Sequence, residues 1–324
     1  MEWVGVDISK ARFDAALPLG NGKYRTRSGF ANALGKFDAF FAWLDTHCPQ
    51  AAVVMEATGV YHELLAEALY SRGCTVYVVN PAQIAAFAKS ELARTKTDRY
   101  DAKLIARFGQ AHGTSDKPLT PFQPTPPAMK RLNALLRRLS DLQTMWQMEQ
   151  NRLDVADASV QPSIASVLVM LDQQIKETQA AIRRHIDDDP DLRHRKELLN
   201  SIPGVADLTS AWLLTLLQDG HRFSRVAQAV AFVGLNPRVQ ESGQWKGHTR
   251  ISKTGNAELR AKLYMPAVVA RTHNPLIQSL CQRLAARGKA GKQIIVAAMR
   301  KLIHIAWGVL KNNTPFDPTW GLAA

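Results

Sequence analysis

The chain has 324 residues, 46% of them apolar, which is enough for two domains of roughly 100 to 200 residues with genuine cores and excludes a disordered chain. Its formal charge of +13 points to a polyanionic partner, and 13 Lys or Arg against one acid, Glu258, lie between Gly243 and Lys311, which marks a binding face. Cys48, Cys74 and Cys281 show no C-x-x-C spacing and read as reduced thiols, no stretch approaches the roughly 18 uncharged apolar residues of a membrane span, and the start has no signal-peptide layout, so a soluble intracellular protein is expected.

Residues 2–9, 11–19 and 23–30 read as three strands of a meander, with Gly20-Asn21-Gly22 as a turn. Residues 33–47 have helical periodicity with Leu34, Phe37, Phe41 and Leu44 on one side, and Ala51 to Met55 is a wholly apolar run suited to a central strand. A helix over 60–72, a strand over Cys74–Val79 and a helix opened by Asn80-Pro81 follow. The order β-β-β-α-β-α-β-α predicts a mixed α/β fold.

Carboxylates interrupt or close these runs: Asp7 in V-G-V-D, Glu56 in V-V-M-E, and Asp98 with Asp101 in K-T-D-R-Y-D. A carboxylate at the end of a buried strand costs several kcal/mol of desolvation unless a positive group compensates. Spacing by three puts Asp98 and Asp101 on one helical face. Oxygen-only donors suit magnesium, or manganese in its place, better than zinc. The layout is that of a ribonuclease-H-like nuclease core, and any one of the acids alone reads equally as a surface ion pair.

Pro-rich residues 121–127 read as an extended linker. Beyond it Leu132, Leu135, Leu139, Leu142, Trp146, Leu153 and Ala156, then Ile164, Leu168, Leu171, Ile175 and Ile182, recur at spacings of mostly three and four around a break near Pro162. They predict a helical hairpin or coiled-coil arm. Self-association is the preferred reading, because little globular core is expected near so long an arm. Asp187-Asp188-Asp189 with Pro190 reads as its solvated end.

In the basic half, S-I-P-G-V-A-D-L resembles a helix-hairpin-helix turn that presents N–H groups to phosphate, although Ala206 stands where a second glycine is usual; a structural corner is the other reading. Ser242 precedes Gly243 in a loop where Lys246, Arg250, Lys253, Arg260 and Lys262 can neutralise phosphate. On spacing alone Ser242 reads as a turn residue, though a hydroxyl there has the chemistry to attack a phosphodiester.

Together V-G-V-D, E-A-T-G-V-Y, V-V-N-P, K-T-D-R-Y-D-A-K, I-P-G-V, G-L-N-P, E-S-G and I-S-K-T-G-N-A-E-L-R closely resemble the DEDD transposases of the insertion-sequence one-ten family, relatives of pilin-gene invertases, from Val4 to about Asp317. The resemblance implies a RuvC-like metal-binding domain over 1–120, a linker and coiled-coil arm over 121–190, and a mainly helical C-terminal transposase domain over 191–324 with a helix-hairpin-helix-like segment. It implies that Asp7, Glu56, Asp98 and Asp101 hold magnesium and that Ser242 is the nucleophile, in a site completed between subunits. The implied partners are double-stranded target and donor DNA, a structured noncoding bridge RNA that pairs with both, and further copies of the chain as a dimer, then a tetramer. Action in the bacterial cytoplasm, on the nucleoid, is implied, with no membrane partner. Two rivals stay open: a structure-selective nuclease of the Holliday-junction resolvase type, using activated water, and a nonenzymatic nucleic-acid scaffold.

Overall fold

Strands β1 (Trp3–Ile8), β2 (Arg12–Gly20) and β3 (Lys23–Ala31) form an antiparallel meander in the computed structural model, turning at Gly20-Asn21-Gly22 as the sequence predicts. The structure describes residues 2–57, 59–91, 98–113, 119–217, 223–238, 241–242, 245–246 and 250–319, with only the backbone of 98, 99, 241, 242, 245, 246 and 250. They fall into two units, Met1–Pro124 and Thr125–Ala324.

In the first unit β4 (Ala52–Glu56) and β5 (Val76–Val79) run parallel to β1, giving the order β3-β2-β1-β4-β5 in which β2 alone points the other way. This is the expected mixed sheet. Side chains alternate across a strand, so Val4, Val6, Val53 and Met55 pack under α1 (Asp38–His47) and α2 (Glu63–Ser71). Trp3, Ala52 and Val54 face α3 (Pro81–Ser90) and α4 (Asp98–Gly113) on the other side. Asn80 opens α3 as predicted, its Oδ1 accepting the Ala82 N–H at 2.8 Å.

Helix α4 touches β1 backbone to backbone. A Cβ on Gly5 would lie 2.2 Å from the Ala102 carbonyl oxygen and 2.3 Å from the Ala106 nitrogen, and one on Gly113 would lie 1.8 Å from the Trp3 ring. Passing from Ala102 to Gly113 therefore retraces β1 from Gly5 back to Trp3, so the start of α4 lies toward the C-terminal end of the strand.

One expectation is corrected here. Helix α1 starts at Asp38 rather than near Ala33, because Gly35 takes a left-handed φ of 72° and breaks the helical path. Leu34 is consequently 81% exposed, and Phe37, Phe40, Trp43 and Leu44 form the buried side. The Pro-rich segment is held against the first unit: the Phe122 N–H donates to Val76 O at 2.7 Å, and its ring meets Tyr70 edge-on.

The second unit is mainly helical. Helices α5 (Pro127–Leu153) and α6 (Gln161–Asp187) pack as an antiparallel hairpin, and α7 (Pro190–Asn200), α8 (Asp207–Leu216), α9 (Val226–Val233), α10 (Ala257–Lys262), α11 (Tyr264–His273), α12 (Pro275–Ala286) and α13 (Gly291–Asn312) follow. Met129, Leu132, Leu136 and Leu139 of α5, with Ile182 and Ile186 of α6, belong to the unit's core. The base of the arm thus has the globular core that the sequence reading denied it. Farther out Leu142, Leu168 and Leu171 are buried, while Met148, Val155, Val169 and Met170 are exposed.

By length and composition α13 passes as a membrane span, with a mean hydropathy of 1.4 over 18 residues. A search for uncharged runs passes over it because Lys292, Arg300, Lys301 and Lys311 interrupt it. Nine of its residues, from Ile294 to Val309, are buried in the unit's core, which is the setting of a core helix.

Truncating the base of the hairpin by Leu139→Ala is expected to cost about 2–5 kcal/mol. Val155→Ser at the tip is expected to change stability by less than about 0.5 kcal/mol. Urea unfolding of the two variants checks the contrast.

Candidate active site

Asp7 and Glu56 end up side by side because β1 and β4 are parallel neighbours. The register pairs Val6 with Met55, so one step on Asp7 stands opposite Glu56, on strands about 4.8 Å apart. Both share the face of Trp3 and Val54, the one α4 covers. Because α4 begins toward that end of β1, its first turn brings Asp98 and the half-buried Asp101 to the same edge. The side chain of Asp98 lies outside the described residues. Among the described residues no three His, Cys, Asp or Glu side chains are already drawn together closely enough to hold a metal ion.

The donor chemistry nevertheless fits a hard divalent cation. All four groups are carboxylates, with no soft ligand among them. Cys48 packs under the opposite face of the sheet, where burial pushes its thiol up to about 11 and keeps it protonated.

Three residues around this edge escaped the sequence reading. Asp14 pairs directly with Asp7 across β1 and β2 and is buried, its Oδ1 accepting the Gly29 N–H at 2.9 Å. Two carboxylates directly opposite each other destabilise a sheet by a few tenths to about 1 kcal/mol, which a cation bound at this edge would offset. The signal was present, since Asp14 interrupts the apolar run Phe13 to Leu17 just as Asp7 interrupts β1. Asn32, also buried, donates from Nδ2 to Ser9 O and Tyr61 O, both at 3.0 Å. It ties the segment after Asp7 to the one after Glu56. His62 is held below its ordinary value by burial, against the opposing pull of Glu63 and a hydrogen bond with the Gly59 backbone.

In the second unit the I-P-G-V corner joins α7 to α8. Gly204, at φ 97°, lies so close to α11 that a Cβ would stand 2.7 Å from the Ala270 Cβ. Its lack of a side chain therefore serves helix packing. Ser242 sits within two nested two-residue ladders. In the outer one β6 (Pro237–Arg238) pairs with β9 (Arg250–Ile251), and in the inner one β7 (Glu241–Ser242) pairs with β8 (Trp245–Lys246), Ser242 opposite Trp245. The side chains of Ser242, Lys246 and Arg250 lie outside the described residues.

The remaining basic candidates divide. Lys253 is exposed. Arg260 Nη1 donates to Val233 O at 2.8 Å, and Lys262 Nζ donates to Gln143 Oε1 at 2.7 Å and lies 5.9 Å from the centroid of the Trp212 ring.

Comparison with known proteins accounts for nearly the whole chain. Residues 4–156 match a transposase family of the DEDD, IS110 type, and residues 196–282 match the IS116/IS110/IS902 transposase family. The pilin gene-inverting protein of Moraxella bovis is 33% identical over 97% of both chains. The transposase for insertion sequence element IS1328 of Yersinia enterocolitica is 25% identical over 97% of this chain and 98% of its own. Among solved structures, Thermus thermophilus RuvC in complex with a Holliday junction substrate covers 38% of this chain and 99% of its own at 18% identity, with a TM-score of 0.28.

Gly5→Ala is expected to destabilise the first unit by more than the 1–3 kcal/mol usual for overpacking, because the new methyl meets fixed backbone rather than movable side chains. Thermal melting measures it. For His62, a folded value below the unfolded 6.5 means that the unfolded chain takes up the proton first on acidification. Its contribution to stability is therefore present above pH 6.5 and lost as the pH falls through the lower folded value. His62→Gln should flatten that part of the stability profile, as denaturant unfolding at pH 7.5 and at pH 5 will read.

Proposed function

The chain belongs to the IS110 family of DEDD transposases, and from that premise we propose that it is an RNA-guided DNA recombinase of a mobile element, acting through a covalent phosphoserine. The family makes it a transposase or recombinase. The observation that supports the finer reading best is the convergence of Asp7, Glu56 and the first turn of α4 on one edge of the sheet. Half-buried carboxylates gathered at a strand edge have a reason to be there when they position a phosphate.

In this reading Asp7, Glu56, Asp98 and Asp101 hold magnesium, or manganese in its place, which when bound neutralises charge at the scissile phosphate. The Ser242 hydroxyl gives up its proton, its Oγ–P bond forms, and one P–O ester bond of the DNA backbone breaks as the departing oxygen takes up a proton. A hydroxyl from the second duplex then attacks the same phosphorus, re-forming a phosphodiester and freeing Ser242. No bond energy is lost to hydrolysis, which is what an inversion requires, since every cut end must be rejoined. The Moraxella relative's name describes such an inversion.

The carboxylates and Ser242 act on one phosphate in an assembled complex of several copies, a dimer and then a tetramer holding donor and target DNA. Lys246, Arg250 and exposed Lys253 contact the nucleic-acid backbone. A bridge RNA encoded beside the gene pairs with both duplexes, so that pairing reads sequence while the protein reads shape and backbone. The reaction takes place in the bacterial cytoplasm.

Incubating the full chain with its flanking noncoding transcript, magnesium and end-labelled duplexes from the element's termini should yield a protein–DNA adduct that survives denaturation. Ser242→Ala should abolish the adduct and lower cutting by at least about 10³-fold, and Asp7→Asn should abolish both. Cutting by Ser242→Ala at the wild-type rate would instead identify water as the nucleophile and the chain as a structure-selective nuclease.

A further inference from the structure

By sequence Arg260 belongs with the phosphate-neutralising cations of the basic half, but its surroundings assign it other work. Helix α9 ends at Val233, and Gly234 turns the chain out of it with a φ of 76°. The chain runs outward through β6 and returns through β9. On the return it is stitched to the outgoing strand and to the last turn of α9: Ser252 N–H donates to Asn236 O at 2.8 Å, Lys253 N–H to Gly234 O at 3.2 Å and Asn256 N–H to Phe232 O at 2.7 Å. Gly255 passes so close that a Cβ there would lie 2.2 Å from Phe232 O.

Arg260 closes this base from the side. Its Nη1 donates to Val233 O at 2.8 Å and, more weakly, to Lys253 O at 3.5 Å, so one guanidinium nitrogen links the end of α9 to the returning segment. The Val233 carbonyl belongs to the last turn of α9, where carbonyls lack helical partners and the helix dipole is negative, which favours a cation. Gly234 leaves room for it, since a Cβ there would stand 2.7 Å from Nη1. The guanidinium is itself aimed by α10, whose first turn is fixed through Asn256 Oδ1 accepting the Leu259 N–H at 2.9 Å.

Two ladders of two residues each have little stability of their own. The orientation of the segment they carry is therefore set where they join the helices. We infer that Arg260 is a positioning residue, clamping the base of the double ladder that presents Ser242, and is not a phosphate contact. This rests on the reading of Ser242 as the nucleophile.

The test compares Arg260→Lys and Arg260→Ala in the full chain. A lysine keeps the charge but replaces the fixed planar donors of Nη1 with a freely rotating ammonium. At saturating end-labelled duplex, Arg260→Lys should form the serine adduct on the order of 100-fold more slowly, the scale of effect of misplacing a reacting group by about an ångström. Affinity for a nonspecific duplex should stay unchanged, as should its dependence on salt in Arg260→Ala. A wild-type adduct rate in Arg260→Lys, or a salt slope lowered by about one in Arg260→Ala, would each overturn the clamp.

Hydrogen exchange supplies a readout that needs no catalysis. The amides of Ser252, Lys253 and Asn256 should lose protection in Arg260→Lys while those of α5 and α6 keep theirs, and unchanged protection would refute the clamp. If the wild-type chain forms no serine adduct, it is the reading of Ser242 that fails, and exchange still decides the role of Arg260.

Discussion

The contact of Gly5 with the backbone of Ala102 and Ala106 is the constraint on which the first unit's chemistry depends. Side chains normally hold a helix away from a sheet. Here Gly5, Gly109 and Gly113 remove them along one line, and α4 settles onto β1 so closely that even a methyl group has no room. Such a contact cannot slide without a clash, so the axial position of α4 is set to within a fraction of a turn. That register decides which residues of α4 lie at the end of β1, and they are Asp98 and Asp101. The opposite face braces the sheet with Phe13, Phe30 and Phe40, whose ring centroids lie 5.0 to 5.2 Å apart, a packing worth more than its buried area alone.

Much of this unit was legible in the sequence because its signals are one-dimensional. The alternation of β1 to β3, the Gly-Asn-Gly turn, the apolar run of β4 and the Asn80-Pro81 cap each report a local preference that the fold obeys. Asp7 and Glu56 stood out because an acid inside a buried strand breaks the pattern. Asp14 breaks it in the same way and was passed over, so the rule was right and its application incomplete. The role of Gly5 was not legible at all: a glycine in a strand can mark a bulge, a bend or a close approach, and only the position of α4 distinguishes them. Helix α1 shows the opposite failure, where periodicity extended through Leu34 and a single left-handed glycine ended it.

The basic half teaches a different lesson about reading charge. A surplus of +13 correctly points to nucleic acid, yet a count of cations cannot tell which ones face outward. Arg260 caps a helix, Lys262 bridges to Gln143, Arg195 reaches the Leu217 carbonyl and Lys196 pairs with Asp187. Each satisfies an acceptor that lies far away in sequence or around a turn, and no spacing rule reveals it. Lys253 is the contrasting case, exposed on the return strand of the same stem.

The proposed role of Ser242 places a demand on the segment that carries it. In the proposed reaction, a hydroxyl that becomes covalently attached to one duplex and is then released to another must approach phosphorus along a defined line twice. A long sheet would enforce that line through many backbone hydrogen bonds. Among the described residues the ladders around Ser242 contain four paired positions, so their base, where α9, the returning segment and α10 meet, is where enforcement is expected. In the proposed clamp one guanidinium nitrogen, shared between the end of α9 and the returning segment, does this, because its planar donors cannot satisfy both carbonyls unless these keep their relative position. A cation conserved in charge but altered in shape would then be as damaging as its removal, which is the sense in which geometry, more than charge, governs this end of the chain.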